Sequence, residues 1–183
     1  MLRFVFAVFM ALAASSSCKG GEVMKTSAAY EVPAESAEER NQLLAIMQKH
    51  AARAGFHVDS ATDEEIALHN EVTPTSFRAA VWAGANDEKF IASAMNRPYD
   101  AGRIWLTFKG EKNMMQTNRF REALMQEVRA SWPQTKELPV LNGETIPLPA
   151  DLIVEGDRYV LDPAAADRYN LADGPSPDFG PSH

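Results

Sequence analysis

Two stretches of the chain repeat apolar residues at helical spacing, and between them lies a region that alternates as a sheet does. The first opens with Ser36-Ala37-Glu38-Glu39. In that S-x-x-E pattern, hydroxyl and carboxylate each satisfy a backbone donor of the other. Leu43, Leu44, Met47, Ala51 and Ala54 then share one face, and Gly55 supplies a left-handed stop. The spacing predicts a helix over 37–54. The second stretch sets Phe120, Leu124, Val128 and Trp132 at steps of four, with Ala123 beside them and Asn113 or Thr117 as the cap. Arg119, Arg121, Glu122, Glu127 and Arg129 fall on its solvated side, and Pro133 cannot continue the helix.

The region between them reads as an antiparallel meander. Phe56-His57-Val58 is a short strand, and Thr62-Asp63-Glu64-Glu65 repeats the capping pattern for a short helix over 63–69, closed by Pro74. In Phe77–Ala83, Phe77, Ala79 and Val81 face one way; Arg78, Ala80 and Trp82 face the other. Gly84-Ala85-Asn86-Asp87 is turn-like. Lys89–Met95 is the next strand, with Phe90, Ala92 and Ala94 inward; a helix capped at Asn86 is the rival reading. After a loop over 96–102, Arg103–Lys109 alternates most clearly. Ile104, Leu106 and Phe108 oppose Arg103, Trp105, Thr107 and Lys109. Beyond the second helix, Val140-Leu141 and Glu144-Thr145-Ile146 flank Asn142-Gly143 as a hairpin would, and Pro139 and Pro147 confine it to an edge or an extended loop. Tyr159-Val160-Leu161 is a last short strand. The expected fold is α+β: an antiparallel sheet of three to five strands with two long helices packed on one face, over the Phe77/Val81 and Ile104/Phe108 side.

The N-terminus has a separate character. Met1-Leu2-Arg3 gives a positive end, followed by an apolar run from Phe4 to Ala14. That is the form of a secretory signal, and it falls short of the about 20 apolar residues a spanning helix needs. Ser15, Ser16 and Ser17 follow, and then Cys18, the only cysteine of the chain. A lone cysteine has no intramolecular disulfide partner. Its place behind an apolar core and small residues resembles the lipobox of bacterial lipoproteins. The resemblance implies cleavage before Cys18, a diacylglycerol thioether on it, and acylation of the new N-terminus. Ser15 stands where that family usually has Leu, and cleavage after Ala13 would instead release a soluble periplasmic or secreted form. Lys19, in place of the Asp that marks inner-membrane retention, implies the outer membrane, facing the periplasm. Two or more acyl chains hold a protein to a bilayer stably.

The expected organisation is a signal peptide over 1–17, a lipid-anchored stalk over 18–35, a globular domain over 36–162 and a disordered tail over 163–183. Gly20, Gly21, Ser27, Ala28, Ala29 and Pro33 give the stalk its spacer composition. The element order of the domain is similar to that of envelope-assembly lipoproteins such as the lipopolysaccharide-assembly lipoprotein, in order only and without a shared motif.

Charge narrows the partners. The net charge is −7 and includes Arg3 of the signal, so the mature chain is more acidic still. No basic stripe matches a phosphate backbone, which argues against nucleic acid. Candidate chemistry is sparse. Glu65 and His69 would share a helix face and His57 and Asp59 a strand face, each half a metal site at most. His50 lies near the C-terminus of the first helix, where a cation suits the dipole, and His183 ends the chain. No nucleophile elbow, phosphate loop, dinucleotide fingerprint or metal motif is present, so neither catalytic residues nor a cofactor is expected.

The most suggestive feature is the outer face of the expected sheet. Trp82 and Trp105 point away from the helices with Arg78, Arg103 and Lys109 among them, and Trp and Arg dominate binding hot spots. If C-terminal residues cover this face, the same tryptophans form a second small core. Three readings stay open: a non-enzymatic envelope lipoprotein that binds an envelope protein near the membrane, an immunity or inhibitor lipoprotein, and a periplasmic hydrolase. A buried cluster around His57, Asp59 or Glu65 would favour the hydrolase.

Overall fold

A computed structural model of the chain describes residues 25–62, 65, 77–84, 89–97, 100–110, 115–142 and 144–169. Helix α1 (Ala37–Arg53) begins at a formed capping box: Ser36 Oγ accepts from the Glu39 amide, and the Glu39 carboxylate accepts from the Ser36 amide. Gly55, at φ +70°, takes the left-handed position past its end. Helix α2 (Met115–Ser131) starts ahead of Thr117, which is buried rather than capping. Leu43, Met47 and Ala51 of α1 and Phe120, Leu124 and Val128 of α2 form one core with the sheet, joined by Trp132 just past α2.

The sheet has eight strands: β1 (Thr26–Val32), β2 (Phe56–Ser60), β3 (Arg78–Ala83), β4 (Lys89–Arg97), β5 (Asp100–Lys109), β6 (Lys136–Leu138), β7 (Leu152–Glu155) and β8 (Arg158–Leu161). Their order is β2-β3-β4-β5-β1-β6-β8-β7. The parallel pairing of β6 with β8 makes the sheet mixed, so the α+β class holds while the sheet is larger than expected. Ala79 and Val81, and Ile104, Leu106 and Phe108, face the helices as their alternation predicts.

Two boundaries are corrected. The expected stalk over 18–35 is a strand from Thr26 to Val32, inserted between β5 and β6 at the centre of the sheet. Ala28 and Val32 join the helical core, whereas Ala29 is buried on the opposite face. Small side chains that resemble a spacer are here what lets both faces be covered. The expected tail is likewise ordered over Pro163–Tyr169, a 3-10 turn. Tyr169 donates its hydroxyl hydrogen to the buried Asp151 at 2.5 Å, and Arg168 bridges the same carboxylate at 2.8 Å. Residues 170–183, the signal and Cys18 lie outside the described residues, as does most of the expected helix over 63–69. Of that helix, the Thr62–Glu65 capping box is formed.

Strand β4 carries a further correction. Val81 pairs with Ala92 but Trp82 with Phe90, so Ile91 is an extra residue in a bulge. Ile91 and Ala92 both enter the core, and Phe90 turns to the outer face with Trp82 instead of inward. The expected hairpin at 140–146 is a tight turn, in which Leu141 and Glu144 exchange backbone bonds with Thr145 and Leu141. Glu144 takes φ +68° there. Its carboxylate accepts from the Thr26 amide and from Lys109 Nζ at 2.8 and 2.9 Å, tying the turn to the end of β1 and β5.

Candidate functional site: the outer face of the sheet

The face turned away from the helices is divided. Over β1 and β5 it is covered by side chains from residues 138–159. Trp105 is 9% exposed and packs with Ala29 and Leu138, with Val140, Ile146, Leu152 and Tyr159 around them. The open face expected at Trp105 is therefore corrected: C-terminal side chains pack against it, and Trp105 belongs to a second core. Glu31 sits at the centre of this covered half, 3% exposed. It accepts from Trp105 Nε1 at 3.2 Å, from Arg97 Nη1 at 3.0 Å and from the Tyr159 hydroxyl at 2.7 Å. A buried carboxylate needs such donors to offset its lost hydration. Burial, and next the bond to and charge of Glu31, push the Tyr159 phenol up to about 12.

Arg103 and Lys109 are engaged at the two ends of this half. Arg103 pairs with Glu35 at 3.6 Å and lines a polar cleft of about 680 Å³ with Glu31, Trp132, Lys136 and Tyr159. Lys109 Nζ donates to Thr26 Oγ1 at 2.7 Å as well as to Glu144. Lys109 and the Thr26 backbone amide hold the Glu144 carboxyl below the usual range.

The half over β2–β4 is different. Trp82 and Phe90 are both half-buried, with ring centroids 5.0 Å apart. His57 of the edge strand β2 lies in register with Trp82, and Asp59 with Ala80. Arg78 is exposed and lies in register with Met95, which is 48% exposed. So of the five residues expected on one surface, Trp82 and Arg78 lie in the open half, while Trp105, Arg103 and Lys109 make contacts in or beside the covered one. Phe90 and Met95 join the open half. Phe90 was hidden from sequence reasoning by the bulge at Ile91, which no alternation rule anticipates.

The candidate acid–base groups form no buried cluster among the described residues. His57, Asp59 and Glu65 are all exposed, and His69 lies outside the described residues. Among the described residues, no three of His, Cys, Asp and Glu are grouped to hold a metal ion. His50 is buried in the helical layer, where Glu127 on α2 meets its Nε2 at 2.7 Å and also bridges Lys49. Those two partners lower the Glu127 carboxyl. The ion pair joins α1 to α2 and faces no part of the open sheet.

No protein-family model, no curated protein and no solved structure matches this chain. Among the described residues, no helix is long and apolar enough to cross a membrane.

Proposed function

We propose that this is a non-enzymatic cell-envelope lipoprotein, held by acyl chains on Cys18 at the periplasmic side of the outer membrane, that binds a partner protein through the open half of its sheet. The observation that carries the reading is the division of the outer face. Side chains from residues 138–159 bury the half around Trp105, whereas Trp82, Phe90, Met95 and Arg78 stay accessible over β2–β4. An aromatic pair with Met and Arg beside it has the composition of the centre of a protein interface. β2, the edge strand of the sheet among the described residues, adds backbone donors and acceptors along the same border. The exposure of His57, Asp59 and Glu65 counts against a buried hydrolytic centre there.

The test is photo-crosslinking in living cells from position 82, with position 105 as the internal control. A single protein captured from position 82 and none from the buried position 105 is the expected result. The identity of that protein separates an assembly factor from a toxin inhibitor. The reading is lost if position 82 captures nothing, or if Trp82→Ala with Phe90→Ala leaves partner affinity unchanged; truncating such anchors costs about 2 kcal/mol or more at a true hot spot. The anchor is read separately. Labelled palmitate should enter the wild type and not Cys18→Ala.

A further inference from the structure

We infer that the end of the domain at which the described chain begins is a bilayer-facing surface, with Arg53 and Arg119 seating the phosphates of anionic phospholipid. The inference rests on the tethered reading above and adds an orientation to it.

The topology fixes which groups share this end. Lys25 accepts a backbone bond from Gly110 at 2.9 Å, so the chain enters beside the exit of β5 and just ahead of α2. The last residue of α1 is here too, because Gln116 of α2 donates to the Ala54 carbonyl at 2.7 Å. Between the two helices lies a cleft of about 500 Å³. Ala54, Phe120 and Ala123 give it an apolar lining, and Arg53, Arg119 and His50 line it as well. Arg53, Arg119 and Lys25 are exposed. None of the three forms an ion pair among the described residues, unlike Arg97, Arg103, Lys109 and Arg168. Met115, at the rim of the same cleft, is 65% exposed. An apolar floor, free guanidinium groups and a protruding Met match the layered chemistry of a headgroup region.

Charge along the strand axis supports the direction. Glu38 and Asp59 are exposed at the far end, where α1 starts and β2 stops, and there Glu35 holds Arg103 while Arg78 is exposed. At the near end Glu144 is held by Lys109, and Glu127, beside the cleft, is held by Lys49 and His50.

Tether length supports it as well. Only residues 19–24 separate Cys18 from Lys25. Fully extended, such a span reaches at most about 25 Å. Strand β5, ten residues at a rise of about 3.3 Å each, is longer than that from the Lys25 end to the far end. A lead of that length keeps the far end of the strands from turning to the lipid and favours the Lys25 end.

The experiment uses the mature chain from Lys19 onward, which keeps every described residue and carries no acyl group. It is mixed with vesicles of phosphatidylcholine alone or of equimolar phosphatidylcholine and phosphatidylglycerol, and binding is read by co-sedimentation. The expected result is binding to the anionic vesicles only, weakened by salt and reduced about tenfold or more in Arg53→Gln/Arg119→Gln. Arg53→Lys/Arg119→Lys should retain most of it. The inference is overturned if the chain ignores anionic vesicles, binds both compositions alike, or binds equally as the Gln variant with unchanged circular dichroism. Palmitate labelling distinguishes the two failures. An unlabelled Cys18 with vesicle binding intact removes the tether and keeps the surface; a labelled Cys18 without vesicle binding does the reverse.

Discussion

Glu31 shows how one side chain can decide what half a sheet face becomes. Its carboxylate is 3% exposed and is bound by an indole, a guanidinium and a phenol drawn from β5, β4 and β8. With those donors in place the charge is tolerated; without a matching acceptor each donor is left wanting. Glu31→Gln keeps the shape but turns an amide toward donors, and it should cost about 2–4 kcal/mol in urea unfolding. Tyr159→Phe removes one bond to Glu31 and should cost about 1 kcal/mol at neutral pH. The phenol also sets a sign at alkaline pH. Tyr159 is raised to about 12 in the folded chain, above its ordinary value. Its contribution is therefore intact below about pH 10 and is lost as pH rises toward 12. The wild type should lose stability in that window, and Tyr159→Phe should lose visibly less. Parallel alkaline limbs for the two proteins would contradict the assignment.

Strand β1 is the element that composition hid. Ser, Ala and Gly around Thr26–Val32 invite a spacer reading, yet the segment alternates Ser27, Ala29 and Glu31 against Ala28, Tyr30 and Val32. That period-2 signal was present, and spacer composition outweighed it. The difference is measurable at Ala29, which is fully buried beside Trp105 and Leu138. In a spacer, Ala29→Leu would be silent. In this strand it overpacks a filled site and should cost about 1–3 kcal/mol by chemical denaturation. Both long helices were legible, by contrast, because caps, stripes and stop signals agree along them. β3 and β5 were legible for the same reason, since their alternation is uninterrupted on the core side. The bulge at Ile91 was not legible, because an inserted residue obeys only the partner strand. β8 was legible as Tyr159-Val160-Leu161. β6 and β7 were hardest: they are three and four residues long, and each gives the Trp105 cluster one apolar side chain, Leu138 and Leu152. For the candidate site, the sequence placed Trp82 and Trp105 correctly on the side away from the helices. Which of them stays exposed depends on long-range cover that no local pattern carries.

The whole molecule is built unequally. One side holds two helices packed on β2–β5 and β1 through a continuous apolar core. The other, residues 136–169, is joined to it by the short β1–β6 ladder, the Trp105 cluster, the Tyr159–Glu31 bond and the Glu144 contacts with Thr26 and Lys109. Within that side, β6 meets β8 in register at Glu137 and Arg158 alone. Asp151, Tyr169 and Arg168 close it upon itself rather than onto the helices. Regions with few buried contacts open at lower free energy than the core that carries them. Backbone amides of β7 and β8 should thus exchange with solvent well before those of β4 and β5. Glu31→Gln should widen the gap, because it removes an acceptor that spans the two sides while leaving the helical core intact. Opening would also uncover Trp105, so its fluorescence should become accessible to a soluble quencher in the variant first. Uniform protection across all eight strands, or an equal loss of protection everywhere in Glu31→Gln, would mean that the molecule opens as one unit. In that case Trp105 would reach solvent only on global unfolding, and Trp82 with Phe90 would remain the sheet's only accessible aromatic pair among the described residues.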